Sequence, residues 1–333
     1  MSGNHIITVT GGSGFIGTRL CYLLTGAGID FQILDVRPSP AFQGHWVDVD
    51  ICDAARLQKV ISGKTIIHLA AEHRDDVRDK SRYHAVNVQG TRNLAQIASA
   101  NGINRIVFTS SVAVNGFAPT DTGEDGEIAP FNDYGRTKFE AENILREWQL
   151  ELPETRSLTI VRPTVVFGPG NRGNVFNLLS SISSGLFIMI GPGQNRKSMA
   201  YVENVAAFLH YASRLGPGIH LFNYVDRPDF TMNELVALVR GQLLGKEGVG
   251  FRLPRWVGLS AGVAADLTAK IVGRTLPISA IRVKKFTATS AFSSKAMRLP
   301  DFTPPVTLSE GLSRTLTHEF ISPDPNAPVF YTE

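Results

Sequence analysis

Short apolar runs and longer stretches with helical spacing alternate along the first half of the chain. The runs predict six strands, at Ile6–Val9, Phe31–Leu34, Trp46–Val49, Thr65–Leu69, Arg105–Thr109 and Leu158–Val161. The stretches between them predict helices, at Phe15–Leu24, Ala54–Ile61, Asn87–Ala100 and Tyr134–Trp148. Because the strands are apolar throughout rather than at alternate positions, both faces of the sheet should be covered. The pattern predicts an α/β fold with a Rossmann-type, doubly wound parallel sheet.

The pattern changes after Pro163. Two Gly-Pro-Gly sequences, at 168–170 and 191–193, interrupt the chain, and helical spacing returns at Val202–Tyr211 and Met232–Leu244. We interpret this half as a smaller lobe of mixed structure. The predicted organisation is a Rossmann domain over residues 1–168 to which 198–222 return, a smaller lobe over 169–197 and 223–325, and a tail over 326–333.

The composition narrows the class of protein. Of 333 residues, 43% are hydrophobic and 19% are charged, which excludes wholesale disorder. The net charge is +3 and no basic block exceeds a few residues, so no nucleic-acid partner is predicted. Two cysteines, Cys21 and Cys52, are too few for a disulfide framework or a thiolate zinc site.

No segment of the sequence predicts a membrane span or a signal peptide. Residues 1–4 lack the basic and then apolar pattern of a signal sequence. The apolar stretch Trp256–Val272 is interrupted by Asp266 and Lys270. It falls short of the ~20 apolar residues that cross a bilayer. We therefore expect a cytoplasmic protein with reduced thiols.

A glycine-rich turn follows the first strand. The sequence TGGSGFIG places Gly11, Gly14 and Gly17 between a strand and a helix. Gly11 permits a tight turn, Gly14 lets the backbone approach a pyrophosphate, and Gly17 lets the helix pack close to the strand. The helix that begins with Phe15 and Ile16 offers its unpaired N–H groups to the anion. This motif predicts a dinucleotide site.

The second strand ends at Asp35, where a carboxylate can bind the adenosine ribose hydroxyls. A 2′-phosphate at this place would be repelled, since at ~5 Å and an effective dielectric constant of ~20 each charge pair costs about 3 kcal/mol. NAD is therefore favoured over NADP. Arg37 lies two residues further on and could offset that repulsion.

Residues after the third and fourth strands complete the predicted cofactor site. Asp50 and Ile51 are placed to meet the adenine, and Leu69, Ala70 and Ala71 to let the cofactor lie across the sheet edge. Turn formation and packing are the alternative explanation for these residues.

Tyr134 and Lys138 lie four residues apart on a predicted helix and so share a face. Ser111 ends the fifth strand, and ligands of parallel sheets bind beyond the carboxyl ends of the strands. A lysine cation ~6 Å from the phenol would lower the phenol pKa by about two units from about 10. Tyr134 could then take a proton from a substrate hydroxyl, while Ser111 hydrogen-bonds the same oxygen.

As a set, these motifs resemble the extended short-chain dehydrogenase/reductases, and more narrowly the NAD-dependent epimerase/dehydratase group that acts on nucleotide sugars. The resemblance rests on GGSGFIG, Asp35, HLAA at 68–71, Asn87 in VNVQGT, TSSVAV, YGRTK and VRPTVVFGPG. It is strong over residues 5 to about 210 and looser beyond.

The resemblance implies roles for single residues near the cofactor. Ser111, Tyr134 and Lys138 match the catalytic serine, tyrosine and lysine of the group, and Lys138 also holds the nicotinamide ribose. Asn87 matches an asparagine beside the nicotinamide, and Pro163 begins a segment that lines its pocket.

The smaller lobe is expected to bind the substrate. Asn174 matches a position that contacts the nucleotide-sugar phosphates. Two departures from the group's pattern indicate an altered sugar pocket: Asn115 stands where a tyrosine is common, and Arg196-Lys197-Ser198 stands where arginine–aspartate is usual. Arg196, Lys197 and Lys284 are candidate diphosphate ligands, together with Arg172, Arg282 and Lys285. Solvated surface charge is the alternative for each of them.

The residues after Ser111 help to choose among reactions. Dehydratases of the group carry Asp-Glu there, and this chain carries Val112 and Ala113, which disfavours 4,6-dehydration. Inversion of C4 of a UDP-hexose or UDP-N-acetylhexosamine, through a 4-keto intermediate, is the leading expectation. A 4-keto nucleotide-sugar reductase that depends on NAD(P)H needs the same three residues and stays open. A non-catalytic dinucleotide-binding regulator is the alternative of another class.

Partners beyond the cofactor and substrate are few. The histidines have no metal-ligand spacing, so no metal is predicted. The resemblance implies a homodimer in which the helices at 87–100 and 134–148 of two copies pair.

Overall fold

Seven parallel strands form one sheet in the computed structural model, which describes residues 6–74, 77, 79–272 and 280–332. The strands of this sheet are β1 (Ile7–Thr10), β2 (Phe31–Asp35), β3 (Trp46–Asp48), β4 (Thr65–His68), β5 (Arg105–Thr109), β6 (Ser157–Pro163) and β11 (Gly218–Tyr224). Their order is β11–β6–β5–β4–β1–β2–β3. The predicted doubly wound parallel sheet is confirmed.

Short strands pair outside this sheet. They are β7 (Val165–Phe167) with β10 (Met199–Tyr201), β8 (Asn171–Arg172) with β13 (Phe330–Tyr331), and β9 (Met189–Ile190) with β12 (Arg252–Leu253). All three pairs are parallel.

The helices cover the sheet and build the smaller lobe. They are α1 (Phe15–Gly26), α2 (Ala54–Val60), α3 (Ser81–Tyr83), α4 (Thr91–Ala100), α5 (Asp133–Leu150), α6 (Asn174–Ser183), α7 (Val202–Ala212), α8 (Met232–Leu244), α9 (Arg255–Val272), α10 (Ala280–Thr287) and α11 (Leu308–Leu316). Within the described part of the chain, none of them combines the length and the apolar character needed to cross a membrane.

The strand order reverses beside β1. From β1 the chain runs outward through β2 and β3, and it then crosses back to place β4 on the other side of β1. At such a point a crevice opens outside the carboxyl ends of the two strands. The turns that follow β1 and β4 therefore flank this crevice.

Apolar side chains fill both faces of the sheet. On one face α1 and α7 pack with Leu20 and Phe208 fully buried, and on the other α2, α4 and α5 pack around residues such as Leu145. A third core in the smaller lobe joins α6, α8 and α11 through Leu179, Leu312 and their neighbours. The boundaries between the two predicted domains stay a prediction.

Two regions of the seven-stranded sheet and the helices that cover it differ from the elements that the pattern predicts. The helix predicted at Asn87–Ala100 is α-helical only from Thr91, because the preceding residues, His84–Gly90, form a π-helix. The edge strand β11 was not predicted, since its first half, Gly-Ile-His-Leu, is only partly buried and gives no continuous apolar run.

The predicted tail at 326–333 contains a strand that folds back on the protein. The Phe330 N–H donates to the Gly170 carbonyl at 2.8 Å. The Phe330 ring lies 5.7 Å from that of Phe15, at the start of α1. Strand β13 has two residues and pairs with the two residues of β8. A pattern this short cannot be recognised as a strand from the sequence.

Candidate active site

The glycine turn after β1 is shaped by close contacts within the protein. Gly11 has φ +70°, and a Cβ there would lie 2.5 Å from the Ala70 backbone nitrogen, so the turn rests directly on the segment after β4. A Cβ at Gly17 would lie 2.5 Å from the Cα of Gly12, which brings α1 against the turn. A Cβ at Gly14 would meet only the Gly11 carbonyl, at 3.2 Å. The outer side of Gly14 is therefore the side that a ligand can approach.

The first turn of α1 has the properties of an anion site. Gly14 is the N-cap residue and supplies no side-chain cap to the N–H groups that follow. The hydroxyl of Ser13 is buried, and no hydrogen-bond partner for it lies among the described residues. Unpaired donors at a helix N-terminus bind phosphate. The residues present therefore fit the diphosphate of a dinucleotide.

Asp35 connects the end of β2 to the glycine turn. Its carboxylate is 8% exposed and accepts hydrogen bonds from the Ser13 N–H at 3.1 Å and the Arg37 N–H at 3.0 Å. Burial raises the pKa of Asp35, and these backbone hydrogen bonds act against the rise. Each oxygen accepts one of these two bonds, so both keep capacity for ribose hydroxyls.

The remaining predicted cofactor residues lie along the same edge of the sheet. Leu69 donates its N–H to the Thr10 carbonyl at 2.9 Å, and Ala70 lies against Gly11. Asp50 is exposed and accepts from the Cys52 N–H at 2.8 Å, while Ile51 is buried. That hydrogen bond is turn formation, the alternative explanation for Asp50, and a contact of Asp50 with adenine stays a prediction.

The start of α5 lies against the turn that contains Ser111. Ser111 accepts a hydrogen bond from the Ala113 N–H at 3.1 Å and so caps the short 3-10 turn after β5. Asn132 caps α5 by accepting from the Gly135 N–H at 2.9 Å. A Cβ at Gly135 would lie 2.5 Å from the Ala113 carbonyl oxygen. Only glycine permits this approach, which places the half-buried Tyr134 next to the turn of Ser111.

Lys138 is buried one turn further along α5. Its side chain is 2% exposed, and its Nζ lies 4.1 Å from the centre of the Phe108 ring on β5. Burial lowers the pKa of Lys138 to about 7, and the charge of Glu142 acts against this effect. In the cofactor-free protein the ammonium form is therefore fully populated only below neutral pH. The aromatic face of Phe108 stabilises that cation.

A buried ion pair supports the residue before Ser111. Glu142 accepts from the Arg162 guanidinium at 2.8 and 2.6 Å and from the Ser110 hydroxyl at 2.6 Å. All three side chains are nearly inaccessible to solvent. The network fixes α5 to the ends of β5 and β6. The sequence analysis missed it, although Glu142 stands four residues after Lys138 and Arg162 directly before Pro163.

Asn87 and Asn115 have structural partners. The Asn87 side chain accepts from the Glu72 N–H at 2.8 Å and donates to the Glu72 carbonyl and the Thr137 hydroxyl, both at 3.0 Å. It thereby ties the segment after β4 to α5. Asn115 is buried and donates to the carbonyls of Gly126 and Glu127 at 3.2 and 2.8 Å. Asn115, which stands where the group commonly has a tyrosine, thus holds the loop before α5 in place.

His68, in the HLAA motif, is a buried neutral side chain. It shares hydrogen bonds with the hydroxyls of Thr10 at 2.7 Å and Thr91 at 3.1 Å. Burial, with a smaller contribution from Lys138, lowers the pKa of His68 to about 3. Among the described residues, no group of three or more His, Cys, Asp and Glu side chains is arranged to hold a metal ion.

The predicted substrate residues are spread over the smaller lobe. Asn174 is the exposed first residue of α6, and Lys284 is exposed on α10. Arg196 is exposed, and burial lowers the pKa of the partly buried Lys197 to about 8. Their segment forms backbone bridges to Thr231 and Ser290. The structure does not bring Asn174 and Lys284 into a described contact with each other, and their binding roles stay a prediction.

Two further predicted residues have partners or positions that affect their roles. Arg172 pairs with Glu319 at 2.7 Å and lies over the Phe176 ring, so its charge is already balanced within the protein. Pro163 is buried at the carboxyl end of β6. The side chains of Arg282 and Lys285 lie outside the described residues.

The fold and the site together indicate the class of protein to which this chain belongs. A glycine turn at the strand-order reversal, an acid at the end of β2, and a serine, tyrosine and lysine at the end of β5 and on α5 are typical of short-chain dehydrogenases of the extended type. The model of the NAD dependent epimerase/dehydratase family matches residues 7–223. The chain belongs to this family, which confirms the resemblance and NAD as its cofactor.

Known relatives agree with this assignment. The chain is 44% identical, over 99% of its length and 100% of the relative's, to an N-acetyl-alpha-D-glucosaminyl-diphospho-ditrans,octacis-undecaprenol 4-epimerase of Escherichia coli O157:H7. It is 30% identical to a UDP-glucose 4-epimerase of Vibrio cholerae over 60% of this chain and 63% of that protein. The UDP-glucose 4-epimerase of Thermus thermophilus in complex with NAD has the same fold, with a TM-score of 0.72 and 20% identity over 96% of this chain and all of that one.

Replacement of Asp35 by Asn should weaken the preference for NAD. The substitution removes the charge that repels a 2′-phosphate, so the ratio of NADPH to NADH affinity should rise at least tenfold. Fluorescence titration with both reduced cofactors measures it. Asp30→Asn, the same charge change at the exposed opposite end of β2, is the control. An unchanged ratio in Asp35→Asn would show that Asp35 does not face the ribose.

Gly135→Ala should separate α5 from the Ser111 turn. The added Cβ meets a backbone carbonyl that cannot move freely, so the free energy of unfolding should fall by about 1–3 kcal/mol. The displacement of Tyr134 should lower kcat about 100-fold. Gly241→Ala is the control, because a Cβ there meets nothing within 4 Å. It should stabilise α8 by about 0.5–1 kcal/mol and leave kcat unchanged. Equal behaviour of the two variants would contradict the close approach.

Glu142→Gln should destabilise the protein strongly. It leaves the Arg162 guanidinium buried without its anion, at a cost of about 3–5 kcal/mol. Urea denaturation gives the free energy of unfolding directly. Glu147→Gln, an exposed change on the same helix, should stay within about 0.5 kcal/mol of the unmodified protein. A small effect of Glu142→Gln would mean that the ion pair does not hold α5 in place.

Proposed function

We propose that this protein is a 4-epimerase that inverts C4 of an N-acetylhexosamine joined through a diphosphate to a polyprenol. The proposal is supported by the common position of two turns: the glycine turn after β1 and the Ser111 turn after β5 both follow the carboxyl ends of parallel strands in one sheet. Helix α5, which carries Tyr134 and Lys138, packs on the Ser111 turn. The identity of 44% over the full length of the relative from Escherichia coli supports the reaction and the substrate class.

NAD, when bound, supplies a reversible acceptor for the hydrogen at C4. The N–H groups of Phe15 and Ile16, in the first turn of α1, would hold its diphosphate, and Asp35 its adenosine ribose. Lys138 would reach its second ribose from within α5. The acid at the end of β2 favours NAD over NADP by charge repulsion.

In this proposal, residues of α5 and of the Ser111 turn carry out the proton transfer. Tyr134 would take the proton of the C4 hydroxyl, and Ser111 would donate a hydrogen bond to the same oxygen as it becomes a carbonyl. The cationic form of Lys138 would stabilise the phenolate that this step requires. Tyr134 returns the proton once the sugar has presented its other face, so one set of groups serves both directions.

The turn after Ser111 argues against dehydration. Val112 and Ala113 form the first residues of the 3-10 turn, and neither can transfer a proton. Elimination of water across C5 and C6 needs an acid and a base at that place. The site is therefore suited to redox chemistry at C4 alone.

The proposal also specifies the carrier, that is, the group to which the sugar is attached through its diphosphate. From the sequence we expect a UDP-linked sugar, and UDP-sugar epimerases share the fold. The relative with the lipid-linked substrate matches the whole chain, whereas the UDP-glucose 4-epimerase of Vibrio cholerae matches 60% of it. Both carriers present a diphosphate, for which Arg196 and Lys197 are the proposed cations. A homodimer formed through α4 and α5 belongs to the same proposal.

The test compares two carriers directly. Purified protein is incubated with N-acetylglucosaminyl-diphospho-polyprenol in detergent and with UDP-N-acetylglucosamine, and the sugar released by mild acid is identified by chromatography. We expect N-acetylgalactosamine from the lipid-linked substrate without net consumption of added NADH. Tyr134→Phe should lower the rate at least 100-fold and keep its affinity for NADH, because the hydroxyl that it removes transfers a proton.

Other results would each replace part of the proposal. If only the UDP-sugar is inverted, the substrate is a nucleotide sugar and the proposed lipid carrier is wrong. Stoichiometric oxidation of NADH by a 4-keto sugar, without inversion of either substrate, would show a reductase. Full activity of Tyr134→Phe would refute the catalytic role of the phenol.

A further inference from the structure

The smaller lobe carries an apolar patch that the proposed catalysis does not use. It consists of Leu186, Ile188, Phe251, Trp256 and Val263, whose exposed fractions are 81%, 43%, 66%, 70% and 51%. Leu186, Ile188 and Phe251 lie just before the short strands β9 and β12, and Trp256 and Val263 lie on α9. Clusters of large exposed apolar side chains mark interaction surfaces.

The strand part of the apolar patch follows from the pairing of β9 with β12. Arg252 pairs with Met189 and Leu253 with Ile190, so the preceding residues, Phe251 and Ile188, are neighbours on one face. Met189 points to the other face and is fully buried. Alternation along an extended chain therefore turns Leu186 and Ile188 outward together.

Helix α9 covers only half of this face. A Cβ at Gly258 would lie 2.6 Å from the Ile190 side chain, so the helix packs closely on the end of β9 and leaves Ile188 uncovered. Gly258 and Gly262 are buried, which fixes the inner face of the helix. Trp256 and Val263 lie seven residues apart on its outer face. Two large apolar side chains of this helix are therefore exposed to water.

The segment that supplies Phe251, Trp256 and Val263 of the apolar patch is rich in basic residues. Residues 240–285 contain nine Lys and Arg and two Asp and Glu, a net charge of +7, whereas the whole chain carries +3. The rest of the chain is therefore net negative, at −4. Lys246, Arg252, Arg255 and Lys284 are exposed in this segment. These four cations lie in the segment that supplies three of the five apolar side chains.

We propose that the apolar patch and the exposed basic residues of 240–285 form a docking surface for an anionic phospholipid bilayer. Apolar side chains at one level with cations around them suit the boundary between acyl chains and anionic headgroups. Tryptophan is favoured at that boundary because its ring is apolar and its N–H is polar. The helix would lie on the bilayer without crossing it.

The position of the docking surface fits the proposed function. The biological role that we give this surface rests on that proposed function. A polyprenol stays in the bilayer, so an enzyme that acts on its diphosphate-linked sugar must work at the headgroup level. Lys197 follows Ile190 by seven residues, and Asn195 donates to the Phe286 carbonyl of α10 at 2.8 Å. The proposed diphosphate cations and the apolar patch are therefore parts of one continuous segment.

The first experiment measures sedimentation of the full chain with vesicles, in the absence of substrate. We expect binding to phosphatidylcholine vesicles that contain one-third phosphatidylglycerol and weak binding to phosphatidylcholine alone. Leu186→Ser/Trp256→Ser should lower the partition coefficient at least tenfold, because both changes remove exposed apolar area. Tyr22→Ser/Ile321→Ser, which changes two exposed apolar side chains outside the apolar patch, should leave it unchanged.

A second pair of variants tests the charge. Lys246→Gln/Arg255→Gln should weaken binding to the anionic vesicles about fivefold for each charge removed. Arg56→Gln/Lys59→Gln removes two exposed charges from α2 and should have no such effect.

The outcomes separate this inference from the proposed function. Vesicle binding without epimerisation of the lipid-linked sugar would leave the docking surface standing and overturn the proposed substrate. Epimerisation in detergent by a protein that does not bind the anionic vesicles would overturn the docking surface alone. If Leu186→Ser/Trp256→Ser instead changes the oligomeric state in analytical ultracentrifugation and leaves vesicle binding intact, the apolar patch joins two copies of the chain and the inference is wrong.

Discussion

The close approach of α5 to the turn after β5 is the contact on which the active site depends. Gly135 lies so near the Ala113 carbonyl that no side chain fits between them. Behind this contact, Glu142 and Arg162 hold the same helix to the ends of β5 and β6. A parallel sheet brings the carboxyl ends of its strands to one edge, and these two contacts bring a tyrosine and a lysine to that edge. Catalytic geometry and folding stability are thus maintained by the same side chains.

Burial gives Lys138 two opposing properties. The low-dielectric surroundings strengthen any field that its ammonium exerts on a neighbouring phenol, and they also lower its own pKa to about 7. Phe108 and Glu142 favour the charged form, and His68 is kept neutral close by. In the proposed function, the smaller lobe would complement this centre with cations for a diphosphate and with a surface for the bilayer in which a polyprenol resides.

Residues that repeat a pattern could be predicted, and residues that act through a single contact could not. The continuous apolar runs identified six strands of the sheet, and the glycine spacing located the phosphate turn. Gly135 gives no signal in the sequence, because its role depends on a carbonyl more than twenty residues away. The charge of Arg162 is hidden within an apolar strand, and its partner is known only once β6 lies beside α5. The strand at Phe330 and the outward face of α9 likewise depend on neighbours distant in the sequence.

The most direct test of the account uses a substrate that carries deuterium at C4 of its sugar. After conversion by the purified protein in ordinary water, NMR spectroscopy of the product reports both the configuration at C4 and the isotope there. The account predicts inverted configuration with the deuterium retained, because the hydrogen leaves and returns within one closed crevice. Inverted product that has exchanged its deuterium for solvent hydrogen would contradict it, since C4 would then be inverted by proton exchange with water.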